Sequence, residues 1–184
     1  MKRHFHSAPW STSLKLVSLL GAILLGSVAF AAFRAVPAPV GFTHNFGIGV
    51  ALVPVVVLAA SVFFIVSGYT LDPTELSVER LITSTRVPLS GLTRVWADAS
   101  ICKGSIRVFG NGGLFSFSGW FYCKRLGRYR VFATDIRNAV VLQFPDRVIV
   151  VSPAAPQAFI QHLQHIVPGL HVGPGLLSSL SPRA

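Results

Sequence analysis

The sequence predicts a membrane-anchored α+β protein, in which two transmembrane helices precede a β-rich domain of about seven strands and one C-terminal helix. Three observations predict this order: two long uncharged stretches near the start, short β-prone runs separated by turn residues, and one final amphipathic segment. The composition agrees, because 52% of the 184 residues are hydrophobic and only 12% are charged. Soluble domains carry roughly 25% charged residues, and disordered chains have low hydrophobicity.

Charge divides the chain into the same two parts. Residues 1–68 hold no acid, and their four basic residues are Lys2, Arg3, Lys15 and Arg34. Residues 69–184 hold all six acids and twelve Lys and Arg, which gives them a net charge of +6. A hydrophobic third therefore precedes a mildly basic part that is long enough for one domain with its own core.

Residues 16–33 and 46–68 are the two predicted transmembrane helices. As helices, these 18 and 23 uncharged residues would span about 27 Å and about 34 Å, against a hydrocarbon core of about 30 Å. Pro54 is tolerated in a bilayer helix, since neighbouring groups satisfy the freed carbonyl. The remaining 116 residues are too few to bury two such stretches in the core of a soluble protein.

Basic residues set the predicted orientation. The positive-inside rule places the basic arm, residues 1–15, in the cytoplasm. The connection of residues 34–45, with Arg34 at its edge, is then an external loop, and the second helix returns residues 69–184 to the cytoplasm. An alternative interpretation is a signal peptide cleaved after Ala29-Phe30-Ala31, but the long basic region and long apolar stretch argue against it. Cleavage there would leave residues 69–184 in the same place.

From residue 69 on, the pattern is typical of strands. The predicted strands are residues 76–79, 86–89, 95–99, 105–108, 114–122, 129–133, 140–144 and 147–151. Gly110-Asn111-Gly112-Gly113 predicts a tight hairpin turn, and a spacing of about ten residues indicates a sandwich or small barrel. A helix starts at Pro156, carries Phe159, Leu163 and Ile166 on one face, and stops at Pro168-Gly169. Residues 167–184 are predicted to be a flexible tail.

Several of these motifs together resemble a known family. They are Gly110-Asn111-Gly112-Gly113-Leu114-Phe115, Gly119-Trp120-Phe121, Leu126-Gly127-Arg128-Tyr129, Ala133-Thr134 and Val150-Val151-Ser152-Pro153. They resemble the bacterial pleckstrin-homology (PH) domains that follow membrane helices, over about residues 69–166. The resemblance implies a PH-like barrel capped by the C-terminal helix, in a bacterial inner membrane. It implies no established activity.

The densest basic cluster predicts the site. Lys124, Arg125, Arg128 and Arg130 surround the Gly127 turn, with aromatic residues interleaved. Nucleic-acid binding would fit that pattern, but a domain tethered to the inner leaflet meets anionic lipid instead, at about 1 kcal/mol for each basic residue near the surface. Contact with anionic lipid headgroups and a solvated turn without a ligand both remain open interpretations.

Other candidate sites are weaker. Cys102 and Cys123 lack zinc-site spacing and, in the cytoplasm, would be reduced. His162 and His165 are spaced for one helix face but lack further metal ligands, and His4 and His6 lie in the arm. The Gly110–Gly113 run lacks the Gly-Lys-Ser/Thr ending of a phosphate loop, and no catalytic triad or Gly-x-Ser-x-Gly elbow is present.

The sequence therefore predicts a binding or assembly protein without catalysis, cofactor, metal or nucleic-acid partner. Its expected partners are the membrane itself, anionic lipid headgroups, a second copy of the chain, or another protein. An alternative is a membrane-bound enzyme or enzyme subunit that uses Cys102 or Cys123 as a nucleophile, with Lys103 and Lys124 as neighbouring cations. A third is a structural accessory of a larger membrane complex.

Overall fold

The computed structural model describes residues 3–36 and 41–173. Its two long helices are α1 (Thr12–Arg34) and α2 (Phe42–Val62), which pack against each other as a hairpin. The Ser11 side chain caps α1 by accepting a hydrogen bond from the Leu14 N–H. Both helices are long and apolar enough to cross a membrane. Most of their large aliphatic and aromatic side chains are exposed, as expected for helices surrounded by lipid.

The N-terminal arm belongs to the domain that follows the helices. Strand β1 (Arg3–His6) pairs antiparallel with β2 (Val66–Leu71), so the residues before α1 join those after α2. Strands β3 (Glu75–Arg80) and β4 (Ser84–Pro88) continue this four-stranded antiparallel sheet. Ala8 then hydrogen-bonds through its N–H to the Ser152 carbonyl and through its carbonyl to the Thr134 hydroxyl. The arm and the domain therefore lie on the same side of the helix hairpin.

The second sheet has seven strands. They are β5 (Arg94–Ala97), β6 (Ile106–Gly112), β7 (Phe117–Cys123), β8 (Gly127–Ala133), β9 (Val140–Gln143), β10 (Val148–Val151) and β11 (His171–Val172). Their spatial order is β11-β5-β9-β10-β8-β7-β6, and β6 is therefore an edge strand. β10 pairs parallel with β8, and β11 pairs parallel with β5. A short 3₁₀ helix, Ile136–Asn138, connects β8 to β9.

The main core lies between the two sheets and under the last helix. Helix α3 (Pro156–Ile166) buries Phe159 and Leu163 completely, and Ile166 packs at the edge of the same cluster. Tyr69 links the two sheets, since its hydroxyl donates to the Phe132 carbonyl and accepts from the Ser152 N–H. Burial raises the pKa of Tyr69 to about 12. A second cluster covers the opposite face of the seven-stranded sheet.

The predicted order of two apolar helices, a strand-rich domain and a final helix is confirmed. The described residues contain eleven strands, where about seven were predicted, and these strands form two sheets that enclose the main core between them. β2 begins at Val66, so the end of the apolar stretch that was predicted as residues 46–68 belongs to a strand and not to the second helix. Hydrophobicity alone does not mark this boundary, because a buried strand is as apolar as a bilayer helix. Of the tail, residues 171–172 form β11, and residues 174–184 lie outside the described part.

Candidate functional site

Helices and domain meet at one end of the domain. We call this the helix end; it is formed by residues 10–21, 61–65 and 113–116. The Ser18 hydroxyl of α1 donates to the Gly113 carbonyl at 3.3 Å and accepts from the Phe115 N–H at 2.8 Å. The buried Ser116 hydroxyl donates to the Phe64 carbonyl, two residues past α2, at 2.7 Å. The β6–β7 turn is therefore hydrogen-bonded both to α1 and to the segment that follows α2.

The β6–β7 turn reaches well along α1. A Cβ added to Gly21 would lie 3.0 Å from Leu114 Cδ1, and Gly21 is nine residues, or about 13 Å, past the start of the helix. Phe115 has a φ of 68°, a left-handed conformation that bulky residues adopt rarely and at a cost of about 1–2 kcal/mol. Its ring lies 6.0 Å from that of Trp10. The hydrogen bond from its N–H to Ser18 holds this strained conformation.

A row of alternating arginine and aromatic side chains starts at the helix end. We call it the arginine–aromatic ladder; its members, in order, are Phe64, Arg80, Phe132, Arg130, Trp120 and Arg128. The Arg80 guanidinium carbon lies 5.8 Å from the Phe64 ring centre and 5.1 Å from that of Phe132. Arg130 lies 4.8 Å from the Phe132 ring and 5.7 Å from Trp120, and Arg128 lies 4.7 Å from Trp120. Each separation is within the range of a cation–π contact.

Strand alternation builds the ladder. Residues 128, 130 and 132 of β8 point to one face of the sheet, because successive side chains alternate, and Trp120 lies opposite Arg130 on β7. Arg80 comes from the other sheet, where it shares a face with the fully buried Leu76 and Val78. It is thus an arginine at an inward-facing position, at the last residue of β3.

The ladder arginines have no carboxylate partner among the described residues. The acids pair instead with arginines elsewhere, for example Asp98 with Arg125 and Asp135 with Arg137. Partial burial and the nearby Arg130 charge lower the pKa of Arg80, and its Nε is buried without a hydrogen-bond partner in the described part of the chain. Buried donors of this kind are rarely left unpaired. The ladder is thus a strip of uncompensated positive charge.

Exposed apolar side chains flank the ladder on the edge strand. Phe109 lies opposite Trp120, and Ile106 opposite Tyr122, so that they share the ladder's face. Phe109 is 72% exposed and Ile106 is 69% exposed. A shallow groove of about 380 Å³ separates Phe109 and Leu114 from Val57 and Phe64 of the α2 end. Arginine together with Trp, Tyr and Phe is the composition of membrane-interface belts and of protein-binding surfaces.

The structure separates the four predicted contact residues into two pairs. Arg128 and Arg130 belong to the ladder, whereas Lys124 and Arg125 lie in the β7–β8 turn, at the end of the domain away from the helices. Arg128 follows this turn directly, and its side chain extends back over Trp120. That turn lies seven residues from Phe117, which is about 23 Å at the usual strand rise. Lys124 and Arg125 line a separate cavity of about 280 Å³ together with Lys103. Arg125 also pairs with Asp98. Burial raises the pKa of Asp98, but hydrogen bonds from Ser100 and the charge of Arg125 outweigh this effect, so the pKa of Asp98 is lowered.

Sequence reasoning missed Arg80, Phe64 and Ser18. Arg80 carried one available signal, since it follows Leu76 and Val78 at the inward spacing of a strand. Phe64 and Ser18 lay inside apolar stretches, and nothing local to either residue indicates contact with a turn more than 50 residues further along the chain.

The cysteines lie in an environment that does not favour a thiolate. Cys102 is mostly buried, and this burial raises the pKa of its thiol although a hydrogen bond with Tyr129 works in the other direction. Cys123 is buried in the second core cluster. Burial also raises the pKa of Tyr129, whose hydroxyl donates to Ser105 at 2.6 Å.

The histidines and the glycine run have structural neighbours. The His162 ring lies 5.8 Å from that of Phe5, and burial, Arg3 and His165 lower the pKa of His162. His4 lies 3.5 Å from Glu79 across the β1–β2–β3 sheet. No group of three or more metal-binding side chains occurs among residues 3–36 and 41–173. Gly110–Gly113 ends β6 and begins the turn that contacts α1.

Comparison with known proteins agrees with this architecture. The family model described as "Bacterial PH domain" matches residues 67–166, which is more than half of the chain. The chain therefore belongs to the bacterial PH-domain family, here with two apolar helices before the domain. A search of curated proteins finds no match to the chain.

Proposed function

We propose that α1 and α2 cross the bacterial inner membrane as a hairpin, and that the PH domain contacts anionic lipid headgroups on the cytoplasmic face without catalysis. The observation that carries this proposal is the ladder of three arginines without carboxylates, which begins two residues past α2. Cytoplasmic placement is supported by the basic residues of the arm. Because β1 of the arm pairs with β2 of the domain, the domain lies on the same side as the arm.

The depth of each basic residue sets its expected contribution. Attraction to a charged surface falls off within a Debye length, about 8 Å at physiological salt. Arg80 packs on Phe64, beside the end of α2; Arg130 lies further along β8, and Arg128 further still. The far-end turn with Lys124 and Arg125 is the most distant. We therefore expect anionic lipid contact to depend on Arg130 more than on Lys124.

A matched pair of charge reversals tests this proposal. The full-length protein is placed in mixed bilayers, and its preference for phosphatidylglycerol over phosphatidylcholine is measured with spin-labelled lipids. Arg128→Glu/Arg130→Glu should lower this preference at least about twofold, because Arg130 and the Arg128 guanidinium, which extends over Trp120 opposite Arg130, lie nearer the surface than the β7–β8 turn does. Lys124→Glu/Arg125→Glu changes the net charge equally at the far end and should leave the preference nearly unchanged.

Equal effects of the two double variants, or no effect of either, would contradict lipid contact through the ladder. The second candidate function is then self-assembly or protein binding along β6. This edge strand exposes Ile106, Val108 and Phe109, and exposed strand edges pair readily with strands of other chains.

The alternative of a cysteine-dependent enzyme is less well supported. A nucleophilic cysteine needs an accessible thiol with a lowered pKa. Burial acts in the opposite direction at Cys102, and Cys123 is packed into a core cluster. Lys103 and Lys124, which follow the two cysteines in sequence, line the cavity beside the β7–β8 turn. Their charges do not reverse the effect of burial on the pKa of Cys102.

A further inference from the structure

The β3–β4 turn carries two large aliphatic side chains that pack against little of the domain. Leu81 is 60% exposed and Ile82 is 61% exposed. The turn is tight, since the Arg80 N–H donates to the Thr83 carbonyl at 2.9 Å. Polar residues flank the pair on both sides, so the two aliphatic residues form a small apolar tip on an otherwise polar turn.

Strand register places this tip at the level where α2 ends. Val66 pairs with Arg80, and the Leu81 N–H donates to the Ile65 carbonyl at 3.3 Å. Ile65 lies three residues after the end of α2. Because β3 runs toward the helix end, Ile82 lies one residue beyond that level, on the side of the helices.

We propose that Leu81 and Ile82 insert into the bilayer interface as a second membrane anchor, independent of the two helices. This inference rests on the proposal that α2 crosses the membrane, since the tip then meets lipid at the depth where α2 emerges. Acyl chains at that depth would bury these exposed apolar side chains, which is favourable. The protein backbone loses no further conformational entropy on insertion, because the turn is already formed. Arg80, one residue before the tip, lies at the level of the headgroup phosphates.

A lipid bilayer fits this tip better than a protein partner does. Two side chains make too small a surface for a stable protein interface, which buries about 800 Å² on each partner. Phe63, 48% exposed at the end of α2, marks the same level and would lie in the same lipid layer. With the helix hairpin, the tip gives the domain a further point of attachment, which fixes its tilt against the membrane.

Depth measurement on spin-labelled variants tests the insertion. Leu81→Cys and Ile82→Cys are made in the full-length protein with Cys102→Ser and Cys123→Ser, labelled with a nitroxide, and placed in bilayers. Collision rates with oxygen, which concentrates in lipid, and with a water-soluble nickel complex report depth. At both positions, we expect the oxygen-to-nickel ratio to exceed that at Lys124→Cys, the far-end control, at least about fivefold.

Two further comparisons keep the outcomes distinct. Leu24→Cys, in the middle of α1 and 63% exposed, must show the lipid signature; if it does not, the membrane-spanning proposal fails and the tip with it. If Leu24→Cys is in lipid and the tip labels match Lys124→Cys, the insertion alone is overturned. Tip labels shielded from both reagents would also overturn it, because a protein would then cover the tip. Insertion is expected in phosphatidylcholine alone, whereas ladder contact needs anionic lipid.

Discussion

At the residue scale, two facing glycines determine how closely β6 and β7 approach. Gly110 and Gly119 lie opposite each other in the register, with φ values of 108° and 146°. A Cβ on Gly110 would collide with the Ser118 carbonyl, and one on Gly119 with the Phe109 carbonyl. Both positions therefore require glycine, for conformation and for space. Their pairing aligns Phe109 beside Trp120 of the ladder.

Substitution of Gly119 separates the two requirements. Gly119→Ala should destabilise the domain by more than about 3 kcal/mol, because backbone strain and a collision add. Gly104→Ala is the control, since Gly104 also has a positive φ, 71°, but open space around it, and it should cost about 1 kcal/mol. Thermal unfolding in detergent, followed by circular dichroism, measures both. Equal losses would contradict the close approach of the two strands.

The ladder shows how far sequence alone predicts a site. Arg128 and Arg130 alternate on one strand, so a local pattern suffices to group them. Arg80 precedes Arg130 by 50 residues and belongs to the other sheet, so it joins the ladder only because the two sheets pack together. No local sequence pattern specifies that packing. Lys124 and Arg125 are close to Arg128 in sequence and lie in the turn just before it, but the Arg128 side chain extends over Trp120 into the ladder, whereas Lys124 and Arg125 line the cavity beside the turn.

At the scale of elements, the β6–β7 turn joins the domain to α1. Ser18, 3% exposed, makes two hydrogen bonds to this turn, and Ser116 makes a third connection to the end of α2. Loss of a buried hydrogen-bonding group that leaves partners unsatisfied costs about 1–3 kcal/mol. The turn therefore limits rotation of the domain relative to the helices.

Ser18→Ala should loosen this connection. We expect a loss of about 1–3 kcal/mol in the stability of the intact protein and faster proteolysis at the β6–β7 turn. Ser27→Ala in the same helix is the matched control, because the exposed Ser27 hydroxyl donates to the Leu24 carbonyl of its own helix and not to the β6–β7 turn. Thermal unfolding and limited proteolysis in detergent compare the two variants. Indistinguishable behaviour would mean that the turn does not fix the domain.

The helices, most strands and the C-terminal helix were predictable because apolar length, alternation and helical periodicity are local signals. Strand β1 was not. Its four residues contain one apolar side chain, Phe5, and its partner β2 follows two helices later in the chain. Pairing across such a distance is a property of the folded chain, so the arm carries no local strand pattern.

At the scale of the whole molecule, β1 ties the first residues of the chain to the domain after α2. The proposed crossing of the membrane by both α1 and α2 agrees with this pairing, because an even number of crossings returns the chain to the same side. On that proposal, Arg3 and the ladder lie on one side of the membrane, and the start of α2 at Phe42 lies on the other. We propose that this shared side is the cytoplasm and that the domain there faces anionic lipid.

Thiol labelling in sealed membrane vesicles tests on which side of the membrane each part of the chain lies. Arg3→Cys in β1, Lys124→Cys in the domain and Gly41→Cys beside α2 are each made with Cys102→Ser and Cys123→Ser, and exposed to a membrane-impermeant maleimide. We predict that Arg3→Cys and Lys124→Cys react only in inside-out vesicles and Gly41→Cys only in right-side-out vesicles. Labelling of Arg3→Cys and Lys124→Cys from opposite sides, or of both only from outside the cell, would overturn the proposed cytoplasmic placement.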